Sequence, residues 1–476
     1  MTEEQKMKIR ETYTSSFGKG DGRPVYFIGI GGIGMSAVAK FFNANGFRVS
    51  GYDKVRTVVT DAMEAEGISI HFEENITMVP LHPFLVVYTP AIQAEHKELM
   101  FCRESGYNVV KRSDILKLIT ESSFNICVAG THGKTTISTM VAHLLRHSGF
   151  GCNAFLGGVS VNYSTNFWKG DNNVCVVEAD EYDRSFLKLF PDMAVVTAMD
   201  ADHLDIYGTA EAVQQAFIDF TGNIKPGGML FKQFGLKRGK ELQADQCISY
   251  SLQNESADAY AADIMIEEGG YDFNVVIKNK KVEGVRLNMG GMHNVENAVA
   301  AIAIASSLEI EDEKIRKAVA DFKGVKRRFE YVLRNSKVVF IDDYAHHPEE
   351  LKALINGAKT LFKERKCTVI FQPHLYTRTR DLADGFAEAL DLADQVLLLP
   401  IYPARELPLE NVSSKMILDR MKNDNKTCME KEELVRWIIE KYKTNLNPEF
   451  GEMLIIAGAG DIDLLVEPIK NVLNQI

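Results

Sequence analysis

Short apolar runs alternate with amphipathic stretches along most of the chain. The first set begins after Pro24, with a β-branched run over 25–30, an amphipathic stretch over 33–45 and a second apolar run over 47–52. A strand, a helix and a strand in that order are typical of βαβ units, which build parallel sheets covered by helices. The pattern therefore predicts an α/β protein.

The same alternation begins again at Phe124–Ala129 and at Val338–Ile341. Between about 225 and 290, short runs separated by glycine turns predict antiparallel strands inside the middle of the chain. The length of 476 residues suits about three domains of roughly 150 residues each. With boundaries near Glu121 and Tyr331, we predict a Rossmann-like domain over 1–121, a central P-loop ATPase-type α/β domain over 122–330, and a C-terminal Rossmann-like α/β domain over 331–476.

Composition and charge restrict the classes of partner. The 54 Lys and Arg against 65 Asp and Glu leave a net charge of −11, which repels nucleic acid and anionic membranes. The seven cysteines are widely spaced and contain no C-x-x-C pair, so we expect reduced, mostly buried thiols. The first 23 residues lack the apolar run of a secretory signal, and the apolar stretch 298–305 is too short for a membrane helix. We expect a cytoplasmic protein without membrane insertion.

The first predicted strand leads into the sequence G-I-G-G-I-G. Its glycines permit a tight turn that lets a diphosphate sit on backbone N–H groups at a helix N-terminus. Asp53, at the end of the next strand, is placed to bind a ribose. A nicotinamide or flavin cofactor fits this pattern, as does another nucleotide diphosphate or a turn that serves packing alone. The residues that we assign to this loop are Gly29, Gly31, Gly32, Gly34 and Asp53.

The second strand set opens with a shortened phosphate-binding loop, Gly130-Thr131-His132-Gly133-Lys134-Thr135-Thr136. Lys134 is predicted to neutralise the β- and γ-phosphates, and the hydroxyl of Thr135 to hold Mg²⁺. The apolar strand 174–177 then delivers Glu178 as the carboxylate ligand of that metal. His203, near the end of the next strand, is a candidate ligand of a second metal, although a lone histidine there is also compatible with a structural role. For Asp180 and Glu181, the alternative is a solvated acidic cluster.

Further motifs follow in a fixed order. They are E-A-D-E at 178–181, D-A-D-H-L-D at 200–205, H-N-x-x-N at 293–297, R-R-F-E at 327–330, D-D-Y-A-H-H-P at 342–348, F-Q-P-H at 371–374 and Y-T-R-T-R-D at 376–381. Together with the phosphate loop, they resemble the Mur ligase family, whose three-domain members use ATP to join an amino acid or peptide to a nucleotide-linked sugar acid. The resemblance runs from Val25 to Asp461.

The resemblance implies a role for each domain. The first glycine loop binds the diphosphate of a UDP-sugar, without hydride chemistry. ATP lies between the central and C-terminal domains, with His293, Asn294 and Asn297 near its base and ribose, and with Arg328 and Asp343 approaching it. The C-terminal domain binds the amino acid through Tyr344, His346, His374, Arg378 and Arg380. Arg327 is as compatible with a solvated face as with function.

The G-x-G-G-x-G-M-S loop and the segment from Phe371 to Asp381 most resemble the branch that adds L-alanine to UDP-N-acetylmuramate. Ile218 stands where many family members carry a carbamylated lysine, a feature that this branch commonly lacks. Leu375 replaces an arginine often found there, so Arg378 or Arg380 would hold the amino acid carboxylate. Alternatives are a ligase for a recycled murein tripeptide, a nicotinamide-dependent oxidoreductase, and a P-loop NTPase with a mechanical or switching role.

The implied chemistry begins with activation of a carboxylate, because a free carboxylate is a poor electrophile. ATP would convert the muramate carboxylate to an acyl phosphate, which the amine of L-alanine would then attack. The residues expected to act in these steps are Lys134, His203, His346 and Arg378, with ATP and Mg²⁺ as cofactors. The sequence is compatible with a monomer or a homodimer.

Overall fold

The computed structural model describes residues 3–10, 17–267, 269–404 and 406–475. Their strands form three sheets of five, ten and six strands, and most pairings between neighbouring strands are parallel. Helices connect successive parallel strands. The predicted α/β fold is therefore confirmed.

The first sheet is parallel, with strand order β3-β2-β1-β4-β5. Its strands are β1 (Pro24–Ile28), β2 (Arg48–Tyr52), β3 (Ser69–His71), β4 (Leu85–Tyr88) and β5 (Val109–Lys111). The helices of this part of the chain are α1 (Glu3–Arg10), α2 (Ile33–Ala44), α3 (Val58–Ala65), α4 (Lys97–Glu104) and α5 (Arg112–Ser122). The strand order reverses at β1, so the first glycine loop leaves the sheet at the edge where such folds bind ligands.

The second sheet has the order β15-β14-β13-β12-β11-β10-β6-β9-β7-β8. Its strands are β6 (Phe124–Ala129), β7 (Asn153–Ser160), β8 (Thr165–Trp168), β9 (Val174–Glu178), β10 (Met193–Val196), β11 (Met229–Gln233), β12 (Gln246–Ser251), β13 (Ala259–Glu267), β14 (Gly270–Ile277) and β15 (Lys280–Leu287). The helices are α6 (Lys134–His147), α7 (Leu204–Tyr207), α8 (Ala210–Thr221), α9 (Met292–Ser307) and α10 (Asp312–Asp321). All six residues of β6 are buried between β10 and β9, so the second glycine loop starts from the middle of the sheet.

The third sheet has the order β16-β17-β21-β18-β19-β20, in which β16 is antiparallel to β17 and the other pairs are parallel. Its strands are β16 (Glu330–Arg334), β17 (Val338–Asp343), β18 (Lys366–Phe371), β19 (Gln395–Leu398), β20 (Lys426–Cys428) and β21 (Glu452–Ala457). The helices are α11 (Pro348–Leu361), α12 (Tyr376–Asp381), α13 (Ala383–Leu390), α14 (Lys415–Leu418), α15 (Lys431–Trp437) and α16 (Val466–Leu473). Short helical turns elsewhere cover Ile76–Met78, Tyr182–Lys188, Ile438–Tyr442, Lys443–Asn445 and Asp461–Leu465.

The chain divides into two compact units. Unit 1 comprises Met1–Ala262, Phe273–Val285 and Glu296–Asp321, and unit 2 comprises Asp263–Asp272, Arg286–Val295 and Phe322–Ile476. Within unit 1 the first and second sheets share a core, because Phe41 of α2 packs against Phe155 of β7 and Phe167 of β8 at ring-centroid distances of 5.5 and 6.1 Å. The three-domain division with boundaries near Glu121 and Tyr331 stays a prediction.

The expectation of antiparallel strands between 225 and 290 is wrong for the first part of that segment. Strand β11 pairs in parallel with both β10 and β12, and β12 pairs in parallel with β13. The glycine pair Gly227-Gly228 forms the turn between α8 and β11, where Gly227 has φ 77°. A glycine turn permits a reversal of the chain but does not specify which strand the next one joins.

Two other expectations concern the thiols and the membrane. Five of the seven cysteines are buried, as predicted for most of them, and Cys247 and Cys428 are exposed. Among the described residues, no helix combines the length and the apolar surface that crossing a membrane would demand.

Candidate active site

The loop after β6 turns on two glycines with positive φ. Gly130 has φ 131°, and Gly133, which precedes α6, has φ 79°. A Cβ on Gly130 would lie 2.1 Å from the hydroxyl of Thr197, so only glycine fits. That hydroxyl donates to the carbonyl of His132 and holds the loop at the end of β10. The loop therefore leads directly into the N-terminus of the 14-residue helix α6, and a helix N-terminus suits a phosphate.

Lys134, the first residue of α6, makes two contacts of different kinds. Its Nζ donates to the carbonyl of Gly130 at 2.7 Å and to Glu181 Oε1 at 2.8 Å. The Glu181 side chain is only 1% exposed, and burial raises the pKa of this carboxyl while the ammonium of Lys134 opposes the shift. A buried charge requires a partner of opposite sign, and Lys134 supplies it. The alternative of a solvated acidic cluster is wrong for Glu181.

Thr135 and Glu178 lie together, as a shared metal site would require. The Thr135 hydroxyl donates to Glu178 Oε1 at 2.9 Å, and the amide of Gly157 donates to Oε2 at 3.0 Å. A Cβ on Gly157 would lie 2.3 Å from the carboxylate, so the absence of a side chain on β7 makes room for it. A hydroxyl and a carboxylate beside a phosphate loop are ligands that fit Mg²⁺.

His203 lies with a different pair of carboxylates. One ligand atom from each of Glu181, Asp202 and His203 lies within 4.8 Å of the others, close enough to surround a single cation. His203 has φ 50°, and its Nε2 lies 3.8 Å from Asp202 Oδ2. Of the predicted metal ligands, Thr135 and Glu178 contact each other directly. His203 forms a cluster with Asp202 and Glu181, and Lys134 also contacts Glu181.

The first glycine loop is held by Asp53, the residue predicted to bind a ribose. Asp53 Oδ2 accepts a hydrogen bond from the amide of Gly31 at 2.7 Å, and Oδ1 accepts one from Val55 at 3.2 Å. A Cβ on Gly31 would lie 2.9 Å from Oδ2, and Gly29 has φ 85°. The Asp53 carboxylate thus holds the conformation of the glycine turn. At the end of this turn, Gly32 is the N-cap residue of α2 and provides no side-chain cap.

Sequence reasoning missed Arg112, the first residue of α5. A Cβ on Gly34 would lie 1.8 Å from Arg112 Nη1, so the guanidinium lies directly on the bare α-carbon in the first turn of α2. Arg112 Nη2 also lies 3.9 Å from Asp180 Oδ2. A helix N-terminus and a guanidinium side by side favour an anion between them. No motif marks Arg112, which the fold brings to this loop from 78 residues farther along the chain than Gly34.

The residues predicted near the nucleotide base occur in both units. In unit 1, Asn297 Oδ1 contacts the phosphate loop, since a Cβ on Gly133 would lie 3.0 Å from it. In unit 2, Asn294 is buried and its Nδ2 donates to the carbonyl of Gly290 at 2.6 Å, whereas His293 and Arg328 are exposed. Asn294 thus fixes the start of α9, and the ring of His293 lies against Gly291, where a Cβ would be 2.4 Å from it.

Two adjacent carboxylates end β17 in unit 2. Burial raises the pKa of Asp343 to about 6, although its carboxylate accepts hydrogen bonds from the amides of Phe329 and Ala345, both at 2.7 Å. Burial also raises the pKa of Asp342 to about 7, and the nearby guanidinium of Arg327 opposes the shift. Arg327 is 19% exposed and donates to the carbonyl of Gly458, so the solvated-face interpretation of Arg327 is wrong.

Four of the residues predicted to bind the amino acid form one cluster in unit 2. The ring centroids of Tyr344 and His346 are 5.3 Å apart and those of His346 and His374 are 6.1 Å apart, while Arg378 Nη1 lies 3.4 Å from His374 Nδ1. Burial lowers the pKa of both histidines, which favours their neutral forms. Arg380 instead pairs with Asp381 at 2.7 Å on the surface.

Models of known protein families match three successive parts of the chain. The Mur ligase family catalytic domain matches residues 24–123, the Mur ligase middle domain 128–305, and the Mur ligase glutamate ligase domain 327–460. The chain belongs to the Mur ligase family. The resemblance seen in the motifs is therefore confirmed over most of the length.

Several proteins named as UDP-N-acetylmuramate–L-alanine ligases are similar to this chain over nearly its whole length. A UDP-N-acetylmuramate–L-alanine ligase of Porphyromonas gingivalis is 48% identical over 459 residues, which cover 95% of this chain and 99% of the relative. One from Flavobacterium johnsoniae is 44% identical over 455 residues, covering 95% and 98%. The crystal structure of a UDP-N-acetylmuramate-alanine ligase from Thermotoga maritima is 29% identical, with a TM-score of 0.79, and covers 95% of this chain and 98% of that one.

Proposed function

We propose that this chain is an ADP-forming ligase that joins L-alanine to the carboxylate of UDP-N-acetylmuramate. The observation that carries the proposal is the near-full-length identity of 48% with a ligase of that name. The phosphate loop, in which Lys134 begins α6 and donates to the carbonyl of Gly130, supports it independently. The product would be a precursor of peptidoglycan, so we place the protein in the cytoplasm and in cell wall synthesis, which sustains cell shape and cell division.

The first chemical step is phosphorylation of the sugar acid. A carboxylate oxygen of UDP-N-acetylmuramate attacks the γ-phosphorus of ATP, and the bond to the β,γ-bridging oxygen breaks, which yields an acyl phosphate and ADP. Lys134, at the N-terminus of α6, stabilises the charge on the transferring phosphoryl group. Gly130–Thr136 hold the other phosphate oxygens through backbone amides.

Thr135 and Glu178 would hold Mg²⁺, because their oxygens already lie 2.9 Å apart beside the loop. A bound Mg²⁺ neutralises phosphate charge and acts as a Lewis acid. Gly157 keeps the Glu178 carboxylate in place through its amide. The loop Gly29–Gly34, its partner Asp53 and the guanidinium of Arg112 would hold the diphosphate of the UDP-sugar.

The second step is attack by the amino group of L-alanine on the acyl carbon, with inorganic phosphate as the leaving group. The amine loses one proton as the amide forms. We assign orientation of the amino acid to Tyr344, His346, His374 and Arg378, with the Arg378 guanidinium pairing with its carboxylate. Arg380 is the less favoured partner for that carboxylate because it pairs with Asp381.

Phosphate release measured with single omissions tests this proposal. We expect phosphate only when ATP, Mg²⁺, UDP-N-acetylmuramate and L-alanine are all present. Dependence on a murein tripeptide in place of L-alanine would support a recycling ligase, release without either ligand would support an NTPase, and an absorbance change with NAD would support an oxidoreductase.

Oxygen label from the muramate carboxylate should appear in the released phosphate, and its absence would exclude the acyl phosphate. Light scattering distinguishes the monomer from the homodimer.

A further inference from the structure

His346 and His374 lie in the amino-acid cluster of unit 2, and their hydrogen bonds fix which ring nitrogen carries the hydrogen. His346 Nδ1 lies 2.9 Å from the carbonyl oxygen of Tyr344 and 3.5 Å from Glu350 Oε2. Carbonyl and carboxylate oxygens only accept hydrogen bonds, so the hydrogen of His346 must be on Nδ1. In the neutral ring, Nε2 of His346 therefore carries the lone pair.

His374 has the opposite arrangement. Its Nδ1 lies 3.4 Å from Arg378 Nη1, and a guanidinium only donates, so this Nδ1 is the acceptor and Nε2 carries the hydrogen. The ring of Tyr402 stacks on the ring of His374 at a centroid distance of 5.7 Å and an interplanar angle of 19°. The amide of Tyr402 donates to the carbonyl of Pro373 at 2.8 Å, and its carbonyl accepts from the amide of Leu375 at 2.9 Å. These contacts hold both the ring and the backbone on either side of it.

Both rings lie in surroundings that disfavour a positive charge. Burial is the largest cause that lowers the pKa of each histidine. The titratable and charged groups that face His346 are Tyr344, His347, Glu350, His374 and Arg378. Glu350 favours the protonated ring of His346, whereas His347 and Arg378 oppose it. The neutral tautomers are therefore the forms that meet an incoming ligand at neutral pH.

This pair of tautomers is complementary to a free α-amino acid. The ammonium group of an amino acid only donates hydrogen bonds, and its carboxylate only accepts them. Nε2 of His346 offers a lone pair to the ammonium group, while Nε2–H of His374 and the guanidinium of Arg378 offer donors to the carboxylate. The two ring centroids are 6.1 Å apart, close enough for one small amino acid to contact both.

We propose that the two histidines bind opposite ends of L-alanine and that His346 Nε2 removes a proton from its ammonium group, an inference that rests on the proposed function. The proton moves to Nε2, which leaves a neutral amine and an imidazolium ion. The amine lone pair forms the C–N bond to the acyl carbon, and the bond from that carbon to the phosphate oxygen breaks. A second amine proton leaves with the phosphate, and His346 returns its proton to water. Tyr344 and Glu350 are positioning residues, because they act through the ring of His346.

The first test compares two nucleophiles in the presence of ATP, Mg²⁺ and UDP-N-acetylmuramate. Hydroxylamine is uncharged at neutral pH and attacks acyl phosphates without a base. We therefore expect His346→Asn to form hydroxamate at close to the wild-type rate, while its kcat with L-alanine falls about 10²–10⁴-fold. His347→Asn changes the exposed neighbouring histidine to another good helix N-cap and should keep the wild-type kcat with L-alanine.

An equal loss with both nucleophiles would indicate a structural role for His346, and an unchanged kcat with L-alanine would also overturn the proposal. Hydroxamate formed by the wild type reports activation of the sugar acid separately from any step of the amino acid. Failure of the proposed function is therefore distinguishable from failure of this inference.

The second test measures the single-turnover rate and the KM for L-alanine across pH. The wild-type rate should rise through the pKa of His346, because only its neutral ring accepts a proton. Glu350→Gln removes the carboxylate that favours the protonated ring, so this rise should move to lower pH. His374→Ala should raise the KM for L-alanine about tenfold, as expected for a lost hydrogen bond to a charged group, with little change in the rate at saturation. A pH profile unchanged by Glu350→Gln, or an unchanged KM in His374→Ala, would refute the assigned roles.

Discussion

Replacing Lys134 with methionine removes an ammonium that serves both folding and catalysis. Methionine preserves the length and most of the apolar part of the side chain. Two hydrogen bonds disappear, those to the carbonyl of Gly130 and to Glu181. The change also leaves the Glu181 carboxylate, which is 1% exposed, without its counter-charge. One substitution therefore tests the charge balance of the site and the assignment of the catalytic lysine.

The expected losses of turnover and of stability differ in size, and the loss of stability depends on pH. Loss of a group that stabilises transition-state charge should lower kcat by about 10²–10³-fold. Breaking a buried ion pair by removing one partner should cost about 3–5 kcal/mol of unfolding free energy. Burial already raises the pKa of Glu181, and removal of Lys134 raises it further. Because the folded state then binds a proton more tightly than the unfolded state, stability is highest at low pH and falls as pH rises through the raised pKa.

Denaturant unfolding at several pH values, with phosphate release and UDP-sugar binding, checks these expectations. The double substitution Lys134→Met with Glu181→Gln removes both charges, so stability should recover while turnover stays low. UDP-N-acetylmuramate affinity should match the wild type, because this ligand is assigned to the loop after β1. The reasoning is refuted if Lys134→Met unfolds with wild-type stability at pH 8, or if it loses UDP-sugar binding and turnover to the same extent.

Three further changes address other parts of the site. Arg112→Ala should raise the KM for the UDP-sugar about tenfold or more with little change in that for ATP, as expected for a lost charge-assisted contact to phosphate; steady-state kinetics with Arg112→Lys as a partial rescue test it. Gly157→Ala places a Cβ 2.3 Å from the Glu178 carboxylate, so the Mg²⁺ concentration for half-maximal rate should rise, and an unchanged Mg²⁺ titration would contradict the assigned ligand. Burial raises the pKa of Asp342 to about 7, so its contribution to stability declines as pH rises from about 4 through 7. Thermal unfolding should therefore show Asp342→Asn gaining stability relative to the wild type over that range.

The chemistry of the phosphate loop was predictable from local sequence. Gly130 and Gly133 occupy positions where the backbone has positive φ, and Lys134 begins the helix that follows. Consecutive residues form such a loop, so its motif can be recognised in the sequence before the fold is known. Thr135 and Glu178 were predicted to share a metal. Their side chains lie together because the parallel strands β6 and β9 end at the same edge of the sheet.

Partners of buried charges were harder to predict. Glu181 and Asp180 are neighbours in an acidic segment, yet one is buried against Lys134 and the other is half-buried and 3.9 Å from Arg112. Sequence pattern alone cannot distinguish the two carboxylates, because burial here depends on how the turn after β9 packs on α7 and α8. Asp53 shows the same limit: its position was predicted, but its hydrogen bond to the amide of Gly31 was not.

The sequence by itself determined the α/β alternation, the two glycine loops and the family to which the chain belongs, because these depend on residues close together along the chain. Only the tertiary structure decided which charges meet. It placed Arg112 on Gly34, set Glu181 against Lys134 and grouped His203 with Asp202 and Glu181. These contacts join segments that are distant in sequence, and their energies depend on burial, which exists only after the sheets and helices have packed.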